Sequence, residues 1–488
     1  MQKKAFRKET NLYLNFFTNF IFLITIALSI LFIFYAVYKI YQRGGLEQSS
    51  FHIYFIFFTL IFIFINVWLI RTKNNLKIYF SLVIFSIGFS LYSFELYMSF
   101  YGGQYSKIPH WPTERLAKAK ENNLNFDTRT KSEVIEDFKN DNITIYPEIH
   151  PLVFLGNSDL SYGIQFNGKK IFPLGGVSRS KTISCNEQGS WLIYDTDKFG
   201  FNNPKEAYLK NFVDIVVFGD SFAKGWCVES NENVAANLRK NNLNVLNYGI
   251  AGSGPLIQYA AFKEYIEPIK PKIVIWFYFM NDLYDMTDEI KSPLLINYLN
   301  EENYNQELKS NQNFIDSSLK KFIQEELNQY KKNIEDSSQQ QLFLDIIKLS
   351  KTRGVLNLIP NSSSNSDIFE IYFKILKQTK TSVDSWGGEL YVINLPSIYH
   401  VDKENFYKNI PIELKEDLYK KQIESAVESL DISYIDMQTE VFDKYSDPLS
   451  LFPFKLWGHY NEIGYQLISN AIFTRLNKDN KLVKKKEN

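Results

Sequence analysis

Four short segments carry residue types that together could break an ester: Gly219-Asp220-Ser221, Asn247-Tyr248-Gly249-Ile250-Ala251-Gly252, Asn281-Asp282 and Gly458-His459-Tyr460-Asn461. A serine hydroxyl is a weak nucleophile until a base takes its proton, and histidine is the side chain whose ordinary pKa suits that task. The tetrahedral intermediate of acyl transfer needs hydrogen-bond donors for its oxyanion. The backbone N–H groups of Ser221 and Gly252 and the side-chain amide of Asn281 could supply three, and losing one such donor typically costs about 10²–10³ in rate. Each residue has a plainer reading by itself. Ser221 could cap a helix, Gly252 could serve close packing and Asn281 could sit in a turn. His400 is the rival base, because it also follows an apolar run.

The elements that must position these residues are legible around them. Apolar runs cover 213–219, 244–249, 273–279, 390–396 and 432–436, and helix-like stretches separate them, ending in NEIGYQLISNAIFTRL. Continuous apolar runs alternating with helices indicate a parallel sheet covered on both faces. The expected fold is a three-layer α/β/α sandwich with a five-stranded parallel sheet over 212–476. Ligands of such sheets bind beyond the carboxyl ends of the strands, and the four segments follow those ends. A polar, helix-forming insertion over 286–365 interrupts the pattern. Residues 151–211 read as a β-rich segment, and 102–150 as a connector.

In this order and placement the segments resemble the SGNH (GDSL-like) hydrolase family, from about residue 212 to 476 apart from the insertion. The resemblance implies a flavodoxin-like fold, Ser221 as nucleophile, His459 as base and Ser221, Gly252 and Asn281 as the oxyanion hole. It implies no cofactor, and the sequence shows no metal-binding motif. Two departures stand out. Phe279 takes the place of a glycine usual two residues before the asparagine. Leu456 and Trp457 stand where the family usually has the aspartate that orients the imidazole. Three readings follow: a Ser–His dyad with the Leu456 or Trp457 carbonyl accepting from the ring, a substitute carboxylate at Asp436 or Asp447, or a crippled site. Loss of the carboxylate from a triad costs about 10⁴ in kcat. The dyad is the favoured reading.

The remainder of the chain bears on location. Its 488 residues hold 54 basic and 54 acidic side chains, a balance without the electrostatic footprint of a nucleic-acid binder. Aromatic residues reach 16%, with 41 Phe and 31 Tyr. Residues 10–38, 53–70 and 78–94 hold no charge, which predicts three transmembrane helices over about 11–39, 51–70 and 77–101 within residues 1–101. Lys3, Lys4, Arg7 and Lys8 before the first span, and Arg71, Lys73 and Lys77 between the second and third, place the N-terminus in the cytoplasm. The chain after the third span is then extracytoplasmic, periplasmic or extracellular, and 477–488 is a basic tail. That compartment permits a disulfide between Cys185 and Cys227, with two buried thiols as the equal alternative. The expected function is a membrane-anchored esterase acting on acyl, above all acetyl, esters on cell-surface glycans. An O-acyltransferase on such polysaccharides and a non-catalytic glycan-binding protein are the alternatives.

Overall fold

The computed structural model describes residues 2–42, 50–72, 76–100, 111–155, 163–166, 168–210, 212–326, 346–349, 352–353, 365–402 and 417–482. His110, much of the insertion and the Lys484-Lys485-Lys486 tail lie outside them. The chain divides into two compact units, residues 1–107 with 335–360 and residues 108–334 with 361–488.

The first unit contains helices α1 (Gln2–Gln42), α2 (Ser50–Arg71) and α3 (Leu76–Phe100). Within them Tyr13–Val37, Tyr54–Arg71 and Leu76–Ser99 are long and apolar enough to cross a membrane. Polar groups inside such segments need internal partners. Thr25 of α1 bonds Asn66 of α2 at 3.2 Å. Glu95 of α3 is buried and accepts the backbone N–H and hydroxyl of Thr352 at 2.7 and 2.6 Å. Thus part of the segment expected as an insertion into the sheet unit belongs with the apolar helices.

The second unit opens with helices α4 (Trp111–Glu121) and α5 (Lys131–Asn140). Strand β1 (Ile145–Pro147) pairs in parallel with β4 (Lys181–Ile183), which pairs antiparallel with β5 (Ile193–Asp195). A hairpin, β2 (Ile164–Phe166) with β3 (Lys169–Ile171), lies between. The main sheet follows: β6 (Ile215–Gly219), β7 (Val245–Gly249), β8 (Ile273–Tyr278), β9 (Glu389–Asn394) and β10 (Ser433–Asp436), in the spatial order β10-β9-β8-β6-β7. Every pairing in it is parallel.

Every residue of β6, β7 and β8 is buried, so both faces must be covered. On one face Val216, Phe218, Leu246, Tyr248, Val274 and Trp276 pack under α8 (Pro255–Ala261), α9 (Asp282–Glu289), α10 (Pro293–Asn300), α11 (Asn365–Ser385) and α12 (Asp417–Ser429). On the other, Ile215, Val217, Ile273, Ile275 and Ile393 pack under α6 (Ser221–Lys224), α7 (Val234–Arg239) and α13 (Glu462–Lys478). This is the three-layer sandwich that the apolar runs imply.

One buried carboxylate ties together helices and loops that cover one face of the sheet. Glu264, in the helical turn after α8, accepts from the Tyr298 hydroxyl (2.5 Å), Gln306 N–H (2.6 Å) and Leu308 N–H (3.0 Å), while Gln306 Oε1 accepts from Phe172 N–H at 2.7 Å. Removing the carboxylate would leave three donors without an acceptor, each costing about 1–3 kcal/mol. Glu264→Ala is therefore expected to destabilise this unit by about 3 kcal/mol or more, measured by chemical unfolding in detergent. A change within about 0.5 kcal/mol, the usual surface value, would show that the network carries no such weight.

Candidate active site

Parallel strands in register end at the same level, and this gathers the site. Gly219 of β6 pairs with Gly249 of β7, and Phe218 with Trp276 of β8. Ser221 lies two residues beyond β6, Gly252 three beyond β7 and Asn281 three beyond β8. All three emerge on one edge. Asp220 caps α6, its carboxylate accepting Phe222 N–H at 2.9 Å, so Ser221 is the first residue of the helix. The N–H groups of Ser221 and Gly252 donate to no protein acceptor among the described residues.

His459 arrives from the opposite end of the chain. Tyr460 behind it is fully buried and bonds the Pro396 carbonyl, and Asn461 caps α13 by accepting Gly464 N–H at 3.0 Å. Between these anchors His459 Nε2 lies 2.8 Å from Ser221 Oγ. Phe222 and Trp226 pack against the ring at 4.5 and 5.8 Å between centroids.

The partner of the other ring nitrogen is Glu187. Its Oε1 and Oε2 lie 3.1 and 3.2 Å from His459 Nδ1, and Oε2 also accepts the His459 backbone N–H at 2.9 Å. Neither Asp436 nor Asp447 takes this place. Asp436 ends β10 at the sheet edge, three strands and so about 14 Å across from β6. There it binds Lys420 at 2.8 Å and Asn394 at 3.0 Å. Asp447 pairs with Lys455 at 2.6 Å. The Leu456 and Trp457 carbonyls do not meet the ring either; that of Trp457 accepts from Arg115 at 2.8 Å. His400 caps its own short turn, taking the Ser397 N–H at 3.0 Å.

Glu187 stands in the loop between β4 and β5, and several bonds fix that loop. Cys185 and Cys227 are joined as a disulfide with Cα atoms 5.5 Å apart. Gln188 donates to the Cys227 carbonyl, and Asn186 to the Asp127 carbonyl, each at 2.8 Å. Nearby, Lys224 of α6 forms a buried ion pair with Glu148, which also accepts from the Ser184 hydroxyl. Arg115 of α4 approaches Glu187 at 3.7 Å, both side chains almost wholly buried. Burial alone would raise the Glu187 pKa, but the facing His459 and Arg115 outweigh it and hold the carboxyl below its ordinary value. A side chain at Gly458 would put its Cβ 2.5 Å from Arg115 Nη2 and 2.8 Å from Glu187 Oε2. The missing side chain at Gly458 leaves the room in which these charges close on the histidine loop.

A local signal for Glu187 existed. Cys227 follows Ser221 by six residues, so pairing it with Cys185 brings the sequence around 185 to the site, and Glu187 is the first acid there. The other wall is formed by His150 and Leu152. At Gly252, where φ is +68°, an added Cβ would meet His150 Nδ1 and Leu152 Cδ1, each at 3.1 Å. The His150 ring packs on Trp226 at 5.1 Å. Burial first, then the charge of Lys131, push its pKa down to about 4, so it is neutral at pH 7. Among the described residues no group of His, Cys, Asp or Glu is arranged to hold a metal. Serine, imidazole and carboxylate in line, beside free backbone donors, can move a proton off Ser221 and hold an oxyanion.

No family model matches the chain, and no curated protein matches it. Solved structures do. Over about half its length the chain matches GDSL/SGNH lipolytic hydrolases, with the five-stranded parallel sheet of those proteins. The lipase/acylhydrolase from Enterococcus faecalis is 13% identical, covering 55% of this chain and 97% of its own, with a TM-score of 0.31. A GDSL-like lipase from Bacteroides thetaiotaomicron is 11% identical, covering 57% and 92%, with a TM-score of 0.30. An acetyl xylan esterase is 10% identical, covering 54% and 100%, with a TM-score of 0.30.

Behind the site lies a group of buried acids. Burial raises Asp220 and Asp282, lifts Asp285 to about 7 and lifts Glu289 to about 8, the last while capping α8 through the Leu256 and Ile257 N–H groups. An acid whose folded pKa is raised keeps its proton in the fold after the unfolded chain has lost it. Its stabilising contribution is complete below the unfolded value near 4 and is lost as pH rises through the folded one. The melting temperature is therefore expected to be higher at pH 5 than at pH 9, with the decline between about 4 and 8. A rising or flat profile across that window would contradict the assignment.

Proposed function

We propose that this protein is a membrane-anchored serine esterase of the SGNH type. The observation that carries the proposal is the line Ser221–His459–Glu187, with 2.8 Å on one side of the imidazole and 3.1 Å on the other. His459 Nε2 takes the Ser221 proton as Oγ attacks the ester carbonyl. The Ser221 and Gly252 N–H groups and the Asn281 amide receive the oxyanion. Glu187 holds the ring in the tautomer with Nδ1–H and stabilises the imidazolium that forms. His459 then passes its proton to the leaving alcohol, and a water repeats the sequence to release the acid. The reading of a non-catalytic protein rested on the missing carboxylate, and Glu187 weighs against it.

His150 and Leu152 crowd the Gly252 side of the site and favour a small acyl group such as acetyl. A glycan is the proposed carrier, on the resemblance of the four segments. An extracytoplasmic site is favoured by the Cys185–Cys227 disulfide and by the basic residues around the first three helices.

The full chain in detergent is expected to turn over a chromogenic acetyl ester and to be labelled by a fluorophosphonate. Ser221→Ala should abolish both. Glu187→Gln, isosteric but unable to select the tautomer in the same way, should lower kcat by about 10³–10⁴ with little change in KM. Absence of Ser221-dependent turnover and labelling would overturn the enzyme proposal. For location, a reporter that is active only outside the cytoplasm, fused after residue 488, is expected to be active; activity only of a cytoplasmic reporter would reverse the proposed orientation.

A further inference from the structure

Asn281 does not simply face the site. Its side-chain nitrogen donates to Asp285 Oδ2 at 2.6 Å, while its Oδ1 is buried with no hydrogen-bond partner among the described residues. The two residues stand one helical turn apart, Asn281 at the cap of α9 and Asp285 in its first turn, the spacing at which side chains meet on one face. A primary amide has two chemically different ends of nearly equal shape. Only the nitrogen end can stabilise an oxyanion; the oxygen end would repel it. Above the value of about 7 to which burial lifts it, the Asp285 carboxylate is ionised; it then accepts hydrogen bonds and cannot donate them, so it distinguishes the two ends. One amide hydrogen is committed to Asp285, and the second has no protein partner among the described residues.

We infer that Asp285 is a positioning residue, which selects the amide orientation of Asn281 and so presents its second N–H to the oxyanion. This rests on the proposed esterase reading and adds to it a residue outside the four sequence segments. The buried, unpartnered Oδ1 is the cost of that orientation, since the other orientation would set carbonyl oxygen against carboxylate oxygen. Asp285 touches no reacting atom and acts only through Asn281.

The expected behaviour is specific. In the full-length protein in detergent at pH 8, where Asp285 is mostly ionised, Asn281→Ala should lower kcat by about 10²–10³ with KM nearly unchanged. Asp285→Asn, which keeps the shape but no longer dictates which amide end faces it, should lower kcat at least about tenfold, again with KM nearly unchanged. The double variant should fall no further than Asn281→Ala alone, because both changes remove one donor. Asp285→Ala provides the same comparison if the amide variant does not fold. An unchanged kcat in the Asp285 variants, or losses that multiply in the double variant, would overturn the inference. A readout independent of turnover separates it from the esterase proposal. In asparagine-labelled protein at pH 8, the Asn281 side-chain amide, identified by its loss in Asn281→Ala, should show one proton shifted downfield by the charged acceptor, and Asp285→Asn should remove that shift. An amide pair unaffected by Asp285→Asn would overturn the inference even in an inactive protein.

Discussion

A carboxylate taken out of water is tolerated only where positive charge or several donors meet it, and Glu187 is such a carboxylate. It is buried, and it is met by Arg115, by the His459 ring and by the His459 backbone N–H. The neighbouring structure is arranged around that requirement. The disulfide and the amides of Asn186 and Gln188 hold the loop that carries it, Arg115 also grips the Trp457 carbonyl, and Gly458 leaves room for both charges. Removing one member of such a group strands the others, so the pair is worth more as geometry than as net stability.

The parallel sheet supplies a different kind of constraint. Its central strands fix where the loops begin, to within one residue, because a register slip would misplace every pair from Ile215↔Val245 to Gly219↔Gly249. Helix caps then aim the side chains: Asp220 in front of Ser221, Asn461 after His459, Glu289 under α8. Rigid strand ends with capped helices can hold reacting groups closely enough for proton transfer.

How much of this could be read in the residue order depends on sequence distance. The five strands were legible because each is a continuous apolar run, and Ser221, Gly252, Asn281 and His459 because each follows one or opens the last helix. Asp436 met the same test of following a strand and failed it in space, since strand order decides which loops are neighbours and apolar runs do not encode it. Glu187 escaped for the opposite reason. Its flanking strands are three residues each, it lies 272 residues from His459, and what brings it near is a covalent bond between cysteines whose pairing the sequence left open. The Asn281–Asp285 contact is a turn-length spacing that was present in the sequence, but nothing there says which end of an amide faces the carboxylate.

The location of Arg115 and Glu187 has a consequence for where the unit that carries the proposed site can be cut. The proposed nucleophile and base lie within the region from β6 to α13, yet Glu187 and its guanidinium partner belong to the β4–β5 and α4 segments upstream of it. A recombination event or an expression boundary drawn at the first strand of the main sheet would carry over an intact sandwich with an unsupported imidazole. The smallest segment that holds the proposed site together is thus the whole stretch from α4 onward, and the residues that look like a spacer after the apolar helices are part of its support.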